Sequence, residues 1–72
     1  IYPNPVNDYL NVFIKNPQNS EIGIYNLQGK LMKSEIILNE STKIGVNELN
    51  SGIYLIRVQN NGNQHVQKFV KN

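Results

Sequence analysis

The sequence predicts an all-β protein, a compact antiparallel β-sandwich of six or seven short strands. Short segments with alternating apolar and polar residues are rich in β-branched side chains. Clusters of Asn, Gly, Pro and Ser separate these segments, and strands at such spacing are typical of sandwiches and barrels. A helix fits poorly, because Ile36 and Ile37 favour a strand in the segment 31–37 and Gly45 opposes a helix over residues 42–49.

Six strands are expected in order along the chain. They cover residues 9–14, 21–26, 30–38, 42–46, 52–59 and 64–71. The pattern allows a break in the third strand near Ser34. Side chains two residues apart share one face of a strand. The face expected in the core carries Leu10, Val12, Ile14, Ile22, Ile24, Ile44 and Val46.

The fifth strand has the strongest pattern, "GIYLIRVQ". Tyr54, Ile56 and Val58 lie on one face, and Ile53, Leu55 and Arg57 lie on the other. Apolar residues on both faces predict a central strand that is mostly covered. The pair Asn61-Gly62 predicts a tight hairpin turn into the last strand.

The first residues form a stiff entrance to the sandwich. Pro3 and Pro5 lack an N–H group, and proline favours extended geometry in the residue before it. Such a segment suits the edge of a sheet, where it discourages edge-to-edge aggregation.

Gly29 stands in a predicted turn that would need a positive φ, which glycine adopts without strain.

Size and composition exclude several classes of protein. The 72 residues make one domain, and the absence of cysteine excludes a disulfide or a thiol nucleophile. The net charge is only +2 and the seven basic residues are spread along the chain, which argues against a nucleic-acid partner. No apolar run reaches the roughly 20 residues of a membrane span, and we expect no signal peptide within these residues, because their start lacks the charged and apolar regions of one. The abrupt start predicts a domain cut out of a longer protein.

Catalytic, metal and cofactor sites are not predicted. His65 is the single histidine and Asp8 the single aspartate, with no nucleophile motif near either. The other carboxylates are dispersed, and no phosphate-binding or calcium-binding loop is present. We expect His65 to be an exposed strand residue and the domain to be no enzyme.

Carbohydrate binding is the main alternative that the residues themselves raise. Tyr9 and Phe13 lie opposite the core face of the first strand, so they either face solvent or cover a second layer. Small domains also need tyrosines at the edge of the core, and this use is favoured here. A carbohydrate-binding or adhesive module, and an inert spacer between domains, remain alternatives.

Four blocks resemble the type A C-terminal sorting domain of the type IX (Por) secretion system of Bacteroidota. They are "YPNPVNDYLNV", "IGIYNLQGKLM", "IGVNELNSGIYLIRV" and "KFVK", which cover residues 2–12, 22–32, 44–58 and 68–71. Each block is weak evidence, but their order and spacing over almost the whole chain are specific. Leu31-Met32 replace the usual β-branched residue, and Gly45 and Asn47 stand where Asp or Asn and Ser are common.

The resemblance implies a fold and a function. The fold would be an immunoglobulin-like sandwich of about seven strands. The domain would be a non-catalytic signal fused behind a cargo protein, whose own signal peptide takes it to the periplasm. The partners would be the type IX outer-membrane translocon and a sortase-like peptidase, which commonly removes the domain. The cargo would reach the cell surface or the extracellular space, and no cofactor, nucleic acid or direct membrane insertion is involved.

The matched motifs supply candidate recognition residues. They are Tyr2, Pro3, Asn4, Pro5, Gly29, Lys30, Gly52, Tyr54, Lys68, Phe69, Val70 and Lys71. The three lysines are favoured as recognition residues because exposed charge steers a partner, whereas Gly29 and Gly52 are favoured as backbone requirements.

The last strand, residues 66–71, is the favoured signal segment because it offers an edge for strand addition. The alternative is that Phe69 and Val70 simply complete the core. An exposed edge also permits a weak homodimer without requiring one.

Overall fold

A computed structural model describes residues 5–72 of the chain, so the candidates Tyr2, Pro3 and Asn4 lie outside the described residues. The strands are β1 (Tyr9–Phe13), β2 (Ser20–Tyr25), β3 (Leu31–Ile37), β4 (Ser41–Gly45), β5 (Gly52–Asn60) and β6 (Asn63–Lys71). Their bounds differ from the predicted ones by at most one residue at either end. From residue 5 to residue 72 there is no helix, and hence none that could cross a membrane.

The strands form two antiparallel sheets, which confirms the predicted β-sandwich. One sheet pairs β1 with β4, and the other has four strands in the order β3-β2-β5-β6. The prediction that β5 is central is confirmed, because β2 and β6 flank it. The edges of the larger sheet are β3 and β6.

The core lies between the two sheets and is built by the period-2 alternation of the strands. All the side chains predicted to face the core are buried, and Val58 packs against them while half-buried. The buried apolar residues are Val6, Leu10, Val12, Ile14, Ile22, Ile24, Ile37, Ile44, Val46, Leu49, Tyr54, Ile56 and Phe69.

β5 is mostly covered, as predicted, but its outward face is less buried than its inward face. Its outward side chains remain accessible: Ile53 is 43% exposed, and Leu55 and Arg57 are half-buried. The neighbouring strands bury the backbone of β5, but the smaller sheet packs on one face only. The apolar residues on both faces of β5 fit its central position in the sheet. Those on the outward face form an accessible apolar surface.

The break allowed near Ser34 does not occur, because β3 is continuous. The irregularity lies at Met32. Ile24 pairs with Lys33 and Tyr25 pairs with Leu31, so Met32 is an extra residue on β3. A bulge of this kind accommodates one unpaired residue without ending the strand.

The turn predicted at Asn61-Gly62 is confirmed. Asn61 has φ 50° and Gly62 has φ 85°. The turn joins β5 to β6 and places Asn60 opposite Asn63. Positive φ at both central residues is the requirement of a type I′ turn, whose twist matches that of the flanking strands.

The chain joins the edge of the larger sheet before it becomes β1. Val6 is fully buried and forms a parallel bridge with Lys71. Its N–H donates to the carbonyl of Val70 at 2.8 Å, and its carbonyl accepts from the N–H of Asn72 at 2.7 Å. The exposed Pro5 directly precedes this bridge, as expected for a proline beside a sheet edge.

Candidate functional site

The sheet register brings the candidate residues of the described chain to one end of the larger sheet. Gly52 lies opposite Lys71, and Tyr54 lies opposite Phe69. Tyr25, the last residue of β2, lies opposite Leu55, so the turn that follows it is at the same end. Blocks that are far apart in the sequence thus meet at the start of β5 and the end of β6.

Phe69 and Tyr54 hold the fold rather than offer a contact surface. Phe69 is fully buried, and its ring stacks on that of Tyr54 with 5.7 Å between the centroids and 24° between the planes. The Tyr54 hydroxyl donates a 2.8 Å hydrogen bond to the carbonyl of Asn50. A tyrosine that anchors the chain a few residues upstream is a device of immunoglobulin-like sandwiches.

Lys71 is not the exposed cation that the sequence predicted. Its residue is only 8% exposed, and the ammonium group donates to the backbone oxygen of Asn72 at 2.9 Å. The reason is alternation: Lys71 is two residues from Phe69 and so lies on the same, inward face of β6. Its aliphatic stem is buried at the edge of the core.

The side chains of Lys68 and Val70 are exposed on β6. Lys68 is exposed, and Val70 is 38% exposed. Both lie on the outward face because they alternate with Phe69. Phe69 therefore completes the core, whereas Val70 is only partly covered.

The turn with Gly29 and Lys30 is organised by Asn26. The side-chain oxygen of Asn26 accepts from the N–H groups of Gln28 at 3.0 Å and Lys30 at 2.9 Å. Its backbone N–H donates to the carbonyl of Lys30, and its carbonyl accepts from the N–H of Gly29, both at 3.0 Å. This role of Asn26 was not predicted from the sequence, although an asparagine just before a glycine turn is the signal of such a motif.

Gly29 and Gly52 are required by the backbone. Gly29 has φ 88° and Gly52 has φ 153°, which side chains with a Cβ rarely adopt. A Cβ at either position would meet no atom within 4 Å. The local cost of a side chain is therefore conformational and not steric. Lys30 itself is exposed on this turn.

A separate groove lies between β1 and the inner face of the β5–β6 hairpin. Its volume is about 340 Å³, and it is lined by Val12, Phe13, Ile14, Lys15, Val58, Asn60, Asn63, His65 and Gln67. Phe13 is 69% exposed, so of the two alternatives for this residue it faces solvent and does not cover a second layer. His65 is exposed, as expected. Residues 5–72 contain no group of three or more His, Asp or Glu that could hold a metal ion.

The family model described as the secretion system C-terminal sorting domain matches residues 1–72, the whole chain. The chain belongs to this family. It is therefore a sorting domain of type IX secretion, a signal that directs a protein to the cell surface or the extracellular space. No curated protein and no solved structure matches the chain.

Proposed function

We propose that this chain exports a cargo protein fused before it by binding the type IX translocon at the outer membrane. A sortase-like peptidase then removes the domain, and the cargo is attached to the cell surface. The observation that carries the proposal is the family match over the full length of the chain. It is supported by the convergence of the matched motifs at one end of the larger sheet.

The translocon adds a strand to the open edge of β6. Val6 occupies this edge only near Val70 and Asn72. Since the backbone groups of Val70 point away from β5, those of Gln64, Val66 and Lys68 do so as well. Within residues 5–72 these three have no backbone partner on that side. Unpaired N–H and C=O groups in a row are a template for an incoming strand.

The test is a secretion assay in a bacterium with an intact type IX system. Residues 1–72 are fused behind a periplasm-directed fluorescent protein, and we expect fluorescence outside the cell. Removing residues 68–72 is a poor comparison, because it also removes the buried Phe69. Fluorescence that stays in the periplasm, with the wild-type domain folded, would show that the proposed function is wrong.

Proline substitutions distinguish the role of the β6 edge in export from the role of β6 in stability. Val66→Pro removes an N–H that points away from β5, so the domain should stay folded while export falls. Gln67→Pro removes an N–H that bonds to β5, so it should unfold the domain. A folded Val66→Pro variant that is exported like the wild type would exclude strand addition at this edge.

The groove supports a second candidate function, the binding of a carbohydrate. Exposed Phe13 offers an apolar ring, and the amides of Asn60, Asn63 and Gln67 line the same groove. Sugars are bound by such combinations of stacking and hydrogen bonding. Binding of the purified domain to a glycan array, lost in Phe13→Ala and kept in Tyr9→Ala, would establish this function, and a blank array would exclude it.

A further inference from the structure

We infer that the outward face of the β5–β6 hairpin is a docking surface for an acidic, aliphatic segment of the secretion machinery. The inference rests on the proposed function and extends it to side chains of β5 that are not among the candidate recognition residues. We call this surface the hairpin face. It consists of Ile53, Leu55, Arg57, Val66, Lys68 and Val70.

The hairpin face is apolar and accessible. Cross-strand pairing places Ile53 opposite Val70, Leu55 opposite Lys68 and Arg57 opposite Val66. Ile53 is 43% exposed and Val66 is 55% exposed. The smaller sheet packs on the opposite side of the larger one, so no described strand covers these residues. Adjacent aliphatic side chains left open to water are typical of an interaction site.

The charges on this face are of one sign. Neither β5 nor β6 contains an Asp or a Glu. Arg57 and Lys68 are diagonal neighbours, at the roughly 7–8 Å typical of such pairs. Among the described residues neither forms an ion pair, and Arg57 bonds only to the neutral amide of Gln59 at 3.3 Å. A carboxylate between them would relieve their mutual repulsion and gain two attractive contacts.

The other half of the same sheet differs. The outward face of β2 carries Glu21, which lies opposite Ile36 of β3. Ile36 is 73% exposed, more than Ile53, Val66 or Val70, but the carboxylate of Glu21 faces it across the strands. An acidic partner would be repelled there and attracted to the hairpin face.

The hairpin face is continuous with the open edge of β6. Val66 and Lys68 present their side chains on this face, and at the edge their outward backbone groups have no partner among residues 5–72. A strand added at the edge would place alternate side chains beside theirs. The geometry therefore favours a partner strand in which acidic and aliphatic residues alternate.

The first test is charge reversal in the fluorescent fusion. Arg57→Glu with Lys68→Glu should lower the exported fraction about tenfold or more, equivalent to about 1.4 kcal/mol. The control is Lys15→Glu with Lys43→Glu, which makes the same change in net charge at exposed lysines outside the face. The control should export within about twofold of wild type. Urea unfolding of each purified domain establishes that the variants are folded.

A milder pair keeps the test decisive if charge reversal unfolds the domain. Arg57→Gln with Lys68→Gln should also lose export, whereas Arg57→Lys with Lys68→Arg should keep it. If the wild type is exported and the folded charge variants are exported equally, the docking surface is wrong while the sorting function stands. If the wild type is not exported, the sorting function itself fails.

The second test identifies the partner segment. A photoreactive benzoylphenylalanine at Ile53 should crosslink to a translocon protein during export, and the same probe at Ile36 should not. The crosslinked peptide should contain Asp or Glu beside aliphatic residues. A peptide without carboxylates, or equal crosslinking from position 36, would overturn the inference.

Discussion

The hydroxyl of Tyr54 ties the start of β5 to the preceding loop. It donates to the Asn50 carbonyl at 2.8 Å, and the ring itself is buried against Phe69. Tyr54→Phe keeps the ring and removes one hydrogen bond, which should lower the free energy of unfolding by about 0.5–1.5 kcal/mol. Urea unfolding measures the loss. Tyr9→Phe, at an exposed tyrosine, is the control and should change stability by less than about 0.5 kcal/mol.

Lys33 and Glu48 join β3 to the turn after β4 through a 3.0 Å salt bridge. A hydrogen bond to its own backbone, and then the bond from Lys33, lower the pKa of Glu48 below its ordinary 4.5. Stabilisation by a lowered carboxyl pKa is complete above 4.5 and is lost as the pH falls through the folded-state pKa.

Glu48→Gln should therefore cost at most about 1 kcal/mol at pH 7, because both side chains are partly exposed. The difference from wild type should shrink as the pH falls below 4.5. Urea unfolding of both proteins across this range is the measurement. A difference that is the same at pH 7 and pH 3 would rule out the ion pair as its cause.

β6 combines a buried face with an accessible one, and the two are separable by mutation. Phe69→Ala removes a fully buried ring and should destabilise the domain by about 3–5 kcal/mol. The total stability expected for 72 residues is about 4–11 kcal/mol, so this variant loses a large share of it. Val70→Ala, on the accessible face, should cost about 1 kcal/mol or less. Thermal unfolding followed by circular dichroism compares them, and equal losses would contradict the alternation.

The strands were predictable because their evidence is local. Alternation over five to nine residues fixes which side chains face the core, and Asn61-Gly62 fixes the turn of the β5–β6 hairpin. The burial of Lys71 also follows from alternation with Phe69, but its charge led to the prediction of an exposed side chain. The bulge at Met32 was not predictable, because it depends on how the turn before β3 meets the register of β2.

The partition into sheets lies beyond the local pattern. β1 pairs with β4 across residues 14–40, and Val6 pairs with Lys71 across almost the whole chain. Such contacts depend on the packing of all the strands together, which short windows of sequence do not contain. The resemblance predicted the sandwich and the sorting function. It did not single out the hairpin face, because Ile53, Leu55, Arg57 and Val66 acquire their common surface only through the register of β5 and β6.

Substitutions at Val6 and Val66 allow the effects on stability and on export of the whole domain to be compared. Val6 is fully buried where the chain joins the edge of β6, whereas Val66 is 55% exposed on the hairpin face. Val6→Ala removes two buried methyl groups and should lower stability by about 2 kcal/mol. The domain stays mostly folded, and its docking surface is unchanged, so export should remain near that of wild type.

Val66→Ser should show the opposite result. Its stability should fall by about 1 kcal/mol or less, since the side chain is more than half exposed. Its export should fall, because the aliphatic contact beside Lys68 is lost. Urea unfolding and the exported fraction of the fluorescent fusion, measured for both variants, form the experiment. If export follows stability in both variants, the family motifs act only by maintaining the sandwich, and the translocon does not bind the hairpin face.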